Sequence, residues 1–245
     1  VSAITIGSGG SAGREGPIAQ IGSTVGSYIG NIFKLEPQQK KLLVVCGLSA
    51  GIAGTFNAPL GGAIFGMEIL LRGIGIFNAM PVILASVVGV AVSASFLGQE
   101  TAFHLSDIVL WKPQELPLFL LLGVIFGLIS VIWVKVFYGS ETIFEKIKIP
   151  ESLKMGVGGL LTGVLIMFFP VYGIAGVGYE GIDLALAGSL AIGFAFLLGA
   201  IKILATSFTI GSGGSGGIFA PSLFIGAMFG VGFGGLFKLA FPLLV

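Results

Sequence analysis

Long apolar runs bounded by charged residues constrain this chain more than any other feature. They fall at roughly residues 17–33, 42–71, 79–98, 116–138, 156–170, 186–210 and 218–245. Several approach or exceed the ~20 residues that a helix needs to cross a hydrocarbon core. Backbone N–H and C=O groups find no water there, so a spanning segment is either a helix or part of a closed barrel. The runs are too long, and alternate too little, for barrel strands. The expectation is therefore an all-α, polytopic, multi-pass integral membrane protein, most naturally of the cell membrane, forming a single transmembrane domain over 1–245. Composition supports this reading: 9% of residues are charged, against roughly 25% in soluble domains. Forty-two glycines would weaken soluble helices, but small residues let membrane helices approach closely.

The runs are interrupted in informative places. The 42–71 run breaks at Asn57-Ala58-Pro59, because the residue before a proline is pushed out of the helical region. Two helices of unequal length meeting within the membrane are expected there. Further breaks fall at Gly7–Gly16 and Gly211–Gly217. Irregular backbone at membrane depth is tolerated where protein or a wet cavity satisfies it, so broken and re-entrant helices of a channel or transporter interior are predicted.

Two of these breaks are copies of each other. Residues 7–17 read GSGGSAGREGP and residues 211–221 read GSGGSGGIFAP, sharing Gly7/Gly211 through Ser11/Ser215, Gly13/Gly217 and Pro17/Pro221. The register continues through Ile21/Ile225, Gly22/Gly226 and Gly26/Gly230, giving glycine loop–helix repeats near 7–26 and 211–230. Paired glycine-interrupted segments in two halves of a membrane protein point to a binding site at the repeat interface. Each copy runs from a glycine loop into a helix whose first turn suits Pro17 or Pro221. Helix starts present N–H groups and the positive end of the helix dipole. Two such starts facing each other, Glu15 opposite Phe219, would cradle an anion with partial charges alone. That replaces lost hydration without the grip of a full lysine charge, which would hinder release.

Glu15 in the first copy is matched by Phe219 in the second. Simple dipole stabilisation is one reading of an acid at a helix start. At membrane depth, ionisable groups mark pathways, and a carboxylate can occupy an anion cradle until a proton neutralises it. Glu15 is thus expected to be both gate and proton carrier. Arg14 either pairs with a loop acid or raises the local positive potential. Lys135 is expected to snorkel to a surface, whereas Lys202 is divided between packing and the anion path.

Other classes fit poorly. The net charge of +1 gives no field for nucleic acid. One histidine and the lone Cys46 are too few soft ligands for zinc or haem, and no cofactor is expected. GSGGSAG contains a loose GxGxxG, but no Gly-Lys-Ser/Thr follows and no βαβ unit surrounds it, so a nucleotide-binding enzyme is disfavoured. A non-conducting membrane scaffold is the second rival. Acidic loops at 99–115 (Glu100, His104, Asp107, Lys112, Glu115) and at Glu180/Asp183 contrast with Arg72 and a 139–154 loop carrying Lys146, Lys148 and Lys154. The basic group is the better cytoplasmic candidate.

GREGP at 13–17, FNAPLGG at 56–62 and GGIFAP at 216–221, in that order and spacing, resemble the CLC family of chloride channels and proton/chloride exchangers across essentially the whole chain. The resemblance implies an inverted repeat of helices, a homodimer with one pore per subunit, and chloride as the transported ligand, with protons as a second one in exchangers. It implies that Glu15 is the external gating glutamate and that Ile218 and Phe219 supply amides to the central anion. Arg14, Gly16 and Ala220 would flank the outer site. In FGMEILLR, Glu68 matches the first of two acids that exchangers carry; the second, the inner proton acceptor, is Ile69 here. Phe219 and the context of Pro17 resemble the chloride branch rather than the fluoride branch. The family's GSGxP loop and its late tyrosine would fall before Val1 and after Val245, so the chain reads as a segment of a longer protein. Its start without Met or a basic leader region agrees.

Overall fold

The computed structural model of the chain describes residues 1–71, 76–98, 103 and 113–242. Arg72 and four of the loop charges used for orientation (Glu100, His104, Asp107 and Lys112) lie outside the described residues. Among those described there are ten α-helices and no strand, only one isolated antiparallel bridge. They are α1 (Ser2–Gly7), α2 (Glu15–Ile32), α3 (Pro37–Phe56), α4 (Pro59–Gly66), α5 (Ile76–Leu97), α6 (Leu116–Lys146), α7 (Glu151–Phe168), α8 (Tyr179–Leu186), α9 (Ile192–Gly211) and α10 (Phe219–Ala240). Among the described residues five segments are long and apolar enough to cross a membrane: Asn78–Leu97, Pro113–Lys146, Glu151–Phe168, Ile192–Gly211 and Phe219–Ala240. This is a polytopic helical membrane protein.

The helices form two compact units. One comprises residues 15–102. In it, Pro37 starts α3 behind a reciprocal cap between Glu36 and Gln39, which satisfies two N–H groups that a helix start leaves open. α3 ends at Asn57, whose φ of 52° is a left-handed conformation that asparagine tolerates. Pro59 then opens α4, so the break expected at Asn57-Ala58-Pro59 is present. α2 lies flush on α3 because glycine meets glycine. A Cβ on Gly22 would collide with the carbonyl of Gly47, and one on Gly47 with that of Gly22. Val45, Ala63, Met67 and Val82 form the core beneath α3, α4 and α5. Ser93 Oγ donates to the Gly54 carbonyl at 3.0 Å, an inter-helix bond suited to a setting without competing water.

The other unit comprises residues 1–14 and 103–245. Its centre is α9, half of whose twenty residues are buried. Ile174, Ile182, Ala185, Leu198, Ile201, Ala205, Phe224 and Met228 make its core. Trp133 of α6 packs with Ile203 and Ile225 and donates its indole N–H to Ser222 Oγ at 3.3 Å. Outward, α6 shows Leu120, Leu128 and Ile132, the apolar face that lipid solvates.

Two sequence expectations are corrected here. The 139–154 stretch is not a loop: α6 continues to Lys146 and α7 begins at Glu151. With 31 residues, α6 is about 46 Å long at 1.5 Å per residue, so its polar last turns extend beyond an apolar span. The Glu180/Asp183 stretch is the helix α8, amphipathic enough to bury Ile182 and Ala185.

Candidate functional site

The two glycine loops are built on the same turn. α1 ends at Gly7 and α9 at Gly211, the matched positions of the repeat. Beyond each end, Gly9 and Gly213 take φ values of 96° and 105°, and Gly10 N–H returns to Thr5 O as Gly214 N–H returns to Thr209 O, at 2.8 and 3.0 Å. These left-handed turns end the helices in the manner glycine permits. Residues 15 and 219 then begin α2 and α10 in the same register.

The copies also hold each other. Gly13 N–H donates to Gly217 O and Gly217 N–H donates to Gly13 O, both at 2.7 Å. Ser11 N–H donates to Thr209 Oγ1 at 3.0 Å, and its counterpart Ser215 N–H donates to Thr5 Oγ1 at 3.2 Å. Ser11 Oγ meets Thr206 Oγ1 at 3.0 Å, and Ser215 Oγ meets Ser2 Oγ at 2.8 Å. Each bond has a twin in which the copies exchange roles, the pattern of a local two-fold axis passing between Gly13 and Gly217. Thr5, Thr209, Ser2 and Thr206 were not singled out from sequence. The signal was available, since SAITIG at 2–7 aligns with TSFTIG at 206–211.

Arg14 is exposed, with its guanidinium 5.5 Å above the Tyr179 ring. It lines a cavity of about 390 Å³ with Gly7, Gly176 and Glu180. Glu15, the first residue of α2, is 1% exposed, and Gly16 is exposed. In the second copy, Ile218 is the N-cap of α10 and Phe219 its first residue. Both are exposed, whereas Ala220 is fully buried. Glu68 stands apart from these loops in sequence, exposed within a π-helical turn at Met67–Leu71. Such turns recur at functional sites; Ile69 beside it is 54% exposed.

A family described as voltage gated chloride channel matches residues 1–245. The chain belongs to the CLC family. It is 34% identical to chloride channel protein CLC-f of Arabidopsis thaliana over 96% of this chain and 32% of that protein. It is 32% identical to the H(+)/Cl(-) exchange transporter ClcA of Yersinia pestis bv. Antiqua over 94% of this chain and 49% of the relative. Among solved structures, a slow cyanobacterial Cl−/H+ antiporter superposes with a TM-score of 0.86 at 26% identity, covering 98% of this chain and 57% of the other. The chain thus spans between a third and just over half of the relatives it matches. In this CLC chain, GREGP, FNAPLGG and GGIFAP all fall at helix starts, with Pro17, Pro59 and Pro221 in the first turns of α2, α4 and α10.

Proposed function

We propose that the full-length protein passes chloride and similar small anions across the bilayer, with Glu15 as the gate. The observation that carries this reading is the reciprocal pairing of the two glycine loops, each of which runs directly into a helix start at the same position of the sequence repeat. Helix starts are natural anion sites, and backbone N–H donors bind without a fixed charge, which suits an ion that must leave again. Relatives named as a chloride channel and as proton/chloride exchangers support the same substrate. In this reading Ile218 and Phe219 offer amides to the central anion, while Arg14, Gly16 and Ala220 border the outer site. Glu15 competes with chloride while ionised and yields when protonated. Glu68 is the proposed inner proton relay. Ile69, in place of a second acid, favours loose proton coupling, so the pathway works as a channel or as a weakly coupled exchanger. The working unit is a homodimer in lipid, with part of the interface in 57–98.

The test is chloride efflux from liposomes containing the full-length protein, with simultaneous external pH recording. Wild type should release chloride faster in acid. Glu15→Gln keeps the shape but can neither compete as an anion nor exchange a proton; it should retain or increase efflux and lose both pH dependence and proton movement. Wild-type liposomes no leakier than empty ones would sink the transport reading. A mutant with unchanged pH dependence would reduce Glu15 to an ordinary helix-start acid.

A further inference from the structure

Lys202 sits in the middle of α9 with no exposed surface. A lysine in an apolar helix ordinarily extends its head towards water; this one is turned inward. An ammonium has three N–H donors and no acceptor, and here it has three carbonyls to meet them. Lys202 Nζ donates to Gly173 O at 2.8 Å and to Ile174 O and Gly176 O at 3.1 Å each. The face of Phe224 lies 5.1 Å away, adding a cation–π contact. The fit leaves no slack: a Cβ at Gly178 would come within 2.9 Å of Nζ.

The caged segment is itself joined to the first glycine loop. Gly176 O, which receives Lys202, also receives Ala12 N–H at 3.2 Å, and Gly176 N–H donates to Gly10 O at 3.1 Å. Three residues on, the Tyr179 ring carries Arg14. A line of contacts therefore runs from α9 through Lys202 to the 173–176 backbone, then to Gly10–Ala12 and Arg14. α9 is also the helix that ends in the second glycine loop. One side chain thus links the helix feeding one copy to the backbone of the other.

We infer that Lys202 is a positioning residue for the anion path, acting through the 173–176 carbonyls on the Gly10–Gly13 loop. The inference rests on the transport reading above. It contacts no anion; its charge is consumed by the carbonyl cage, and its part is to fix where the first loop's backbone lies.

The experiment compares wild-type and Lys202→Met full-length protein, since methionine fills much of the volume without a donor. Hydrogen exchange is followed in peptides covering 8–14 and 172–180, and chloride binding by calorimetry. In folded, monodisperse Lys202→Met, both peptides should exchange at least about tenfold faster while peptides within 120–135 stay unchanged. Chloride should bind about tenfold more weakly, and selectivity for chloride over nitrate should relax; these magnitudes correspond to the loss of one charge-assisted joint. A lysine that only stabilises the fold would lower the yield and leave affinity and selectivity of the folded fraction as in wild type, which overturns the inference. So does loosening confined to 172–180. If Lys202→Met yields no folded protein, Gly178→Ala crowds the same ammonium and should shift affinity and exchange in the same direction; wild-type values for both would overturn the inference. Wild-type protein that binds no chloride removes the path and this role with it, and the exchange data then show separately whether the joint exists.

Discussion

The two glycine loops share a backbone and differ in what they carry. Turn geometry, helix ends and the bonds the copies exchange repeat from one to the other, and the first copy adds its bonds to Gly176. The side chains do not: the first copy continues Arg14-Glu15-Gly16, the second Ile218-Phe219-Ala220. The comparison separates two jobs. The common backbone leads into helix starts, a task indifferent to side chains, while in the proposed mechanism the carboxylate of the first copy supplies a charge that a proton switches. Under that proposal a carboxylate in both copies would double the anionic obstruction, and one in neither would leave the path without a switch.

Phe219→Glu removes that asymmetry and should have the largest effect. With an acid in each copy, chloride efflux at neutral pH should fall by about tenfold or more, since ionisable groups at membrane depth dominate a path's electrostatics, and recover on acidification. Efflux unchanged from wild type would place the second loop outside the anion path and break the comparison.

Gly216→Ala tests how closely the copies touch. Its counterpart in the first copy is Ala12, and a Cβ on Gly216 would collide with the Ala12 Cβ. The contact has room for one methyl. Gly216→Ala should destabilise the protein by about 1–3 kcal/mol, the usual cost of overpacking, and Ala12→Gly in the same chain should restore most of it. Thermal unfolding in detergent measures both; a double mutant no better than the single would show that the two loops do not meet there.

The smallest effect sharpens the picture. Thr209→Val leaves the N–H of fully buried Ser11 without its acceptor and also removes a hydroxyl contact to Thr162 at 3.1 Å. Its expected cost is about 1–3 kcal/mol, that of an unsatisfied buried donor. Thr5→Val releases the half-buried Ser215 N–H and removes a long, exposed bond to Val1 O at 3.5 Å, both within reach of water, and should cost less. Equal shifts in melting temperature would mean that burial does not distinguish the two bonds.

The spans and the break at Pro59 were legible because hydropathy and proline act locally. The repeat was legible in its glycines, which have no side-chain alternative at those turns. Thr5 and Thr209 were marked only by the extension of the repeat into SAITIG and TSFTIG; their bonds were not legible, because each is made to the other copy. The helix α8 was hidden by Glu180 and Asp183, whose charges resemble a loop until Ile182 and Ala185 are seen to turn inward. Likewise the 186–210 run enters α9 only at Ile192, after Gly188 turns the chain at a φ of 66°. The cage around Lys202 could not be read at all, since its acceptors are backbone carbonyls about thirty residues away and any sequence offers those.

The exchanged bonds between Ser11 and Thr209 and between Ser215 and Thr5 have an ancestral implication. Neither copy can satisfy its own serine N–H; each depends on a threonine from the other. That is the arrangement two identical half-length polypeptides would adopt on pairing about an axis. A gene for one half, encoding a self-associating protein, could be duplicated and fused without inventing a new contact. Only after fusion could one copy acquire a glutamate while the other kept a phenylalanine, so covalent joining is what made a one-sided carboxylate heritable.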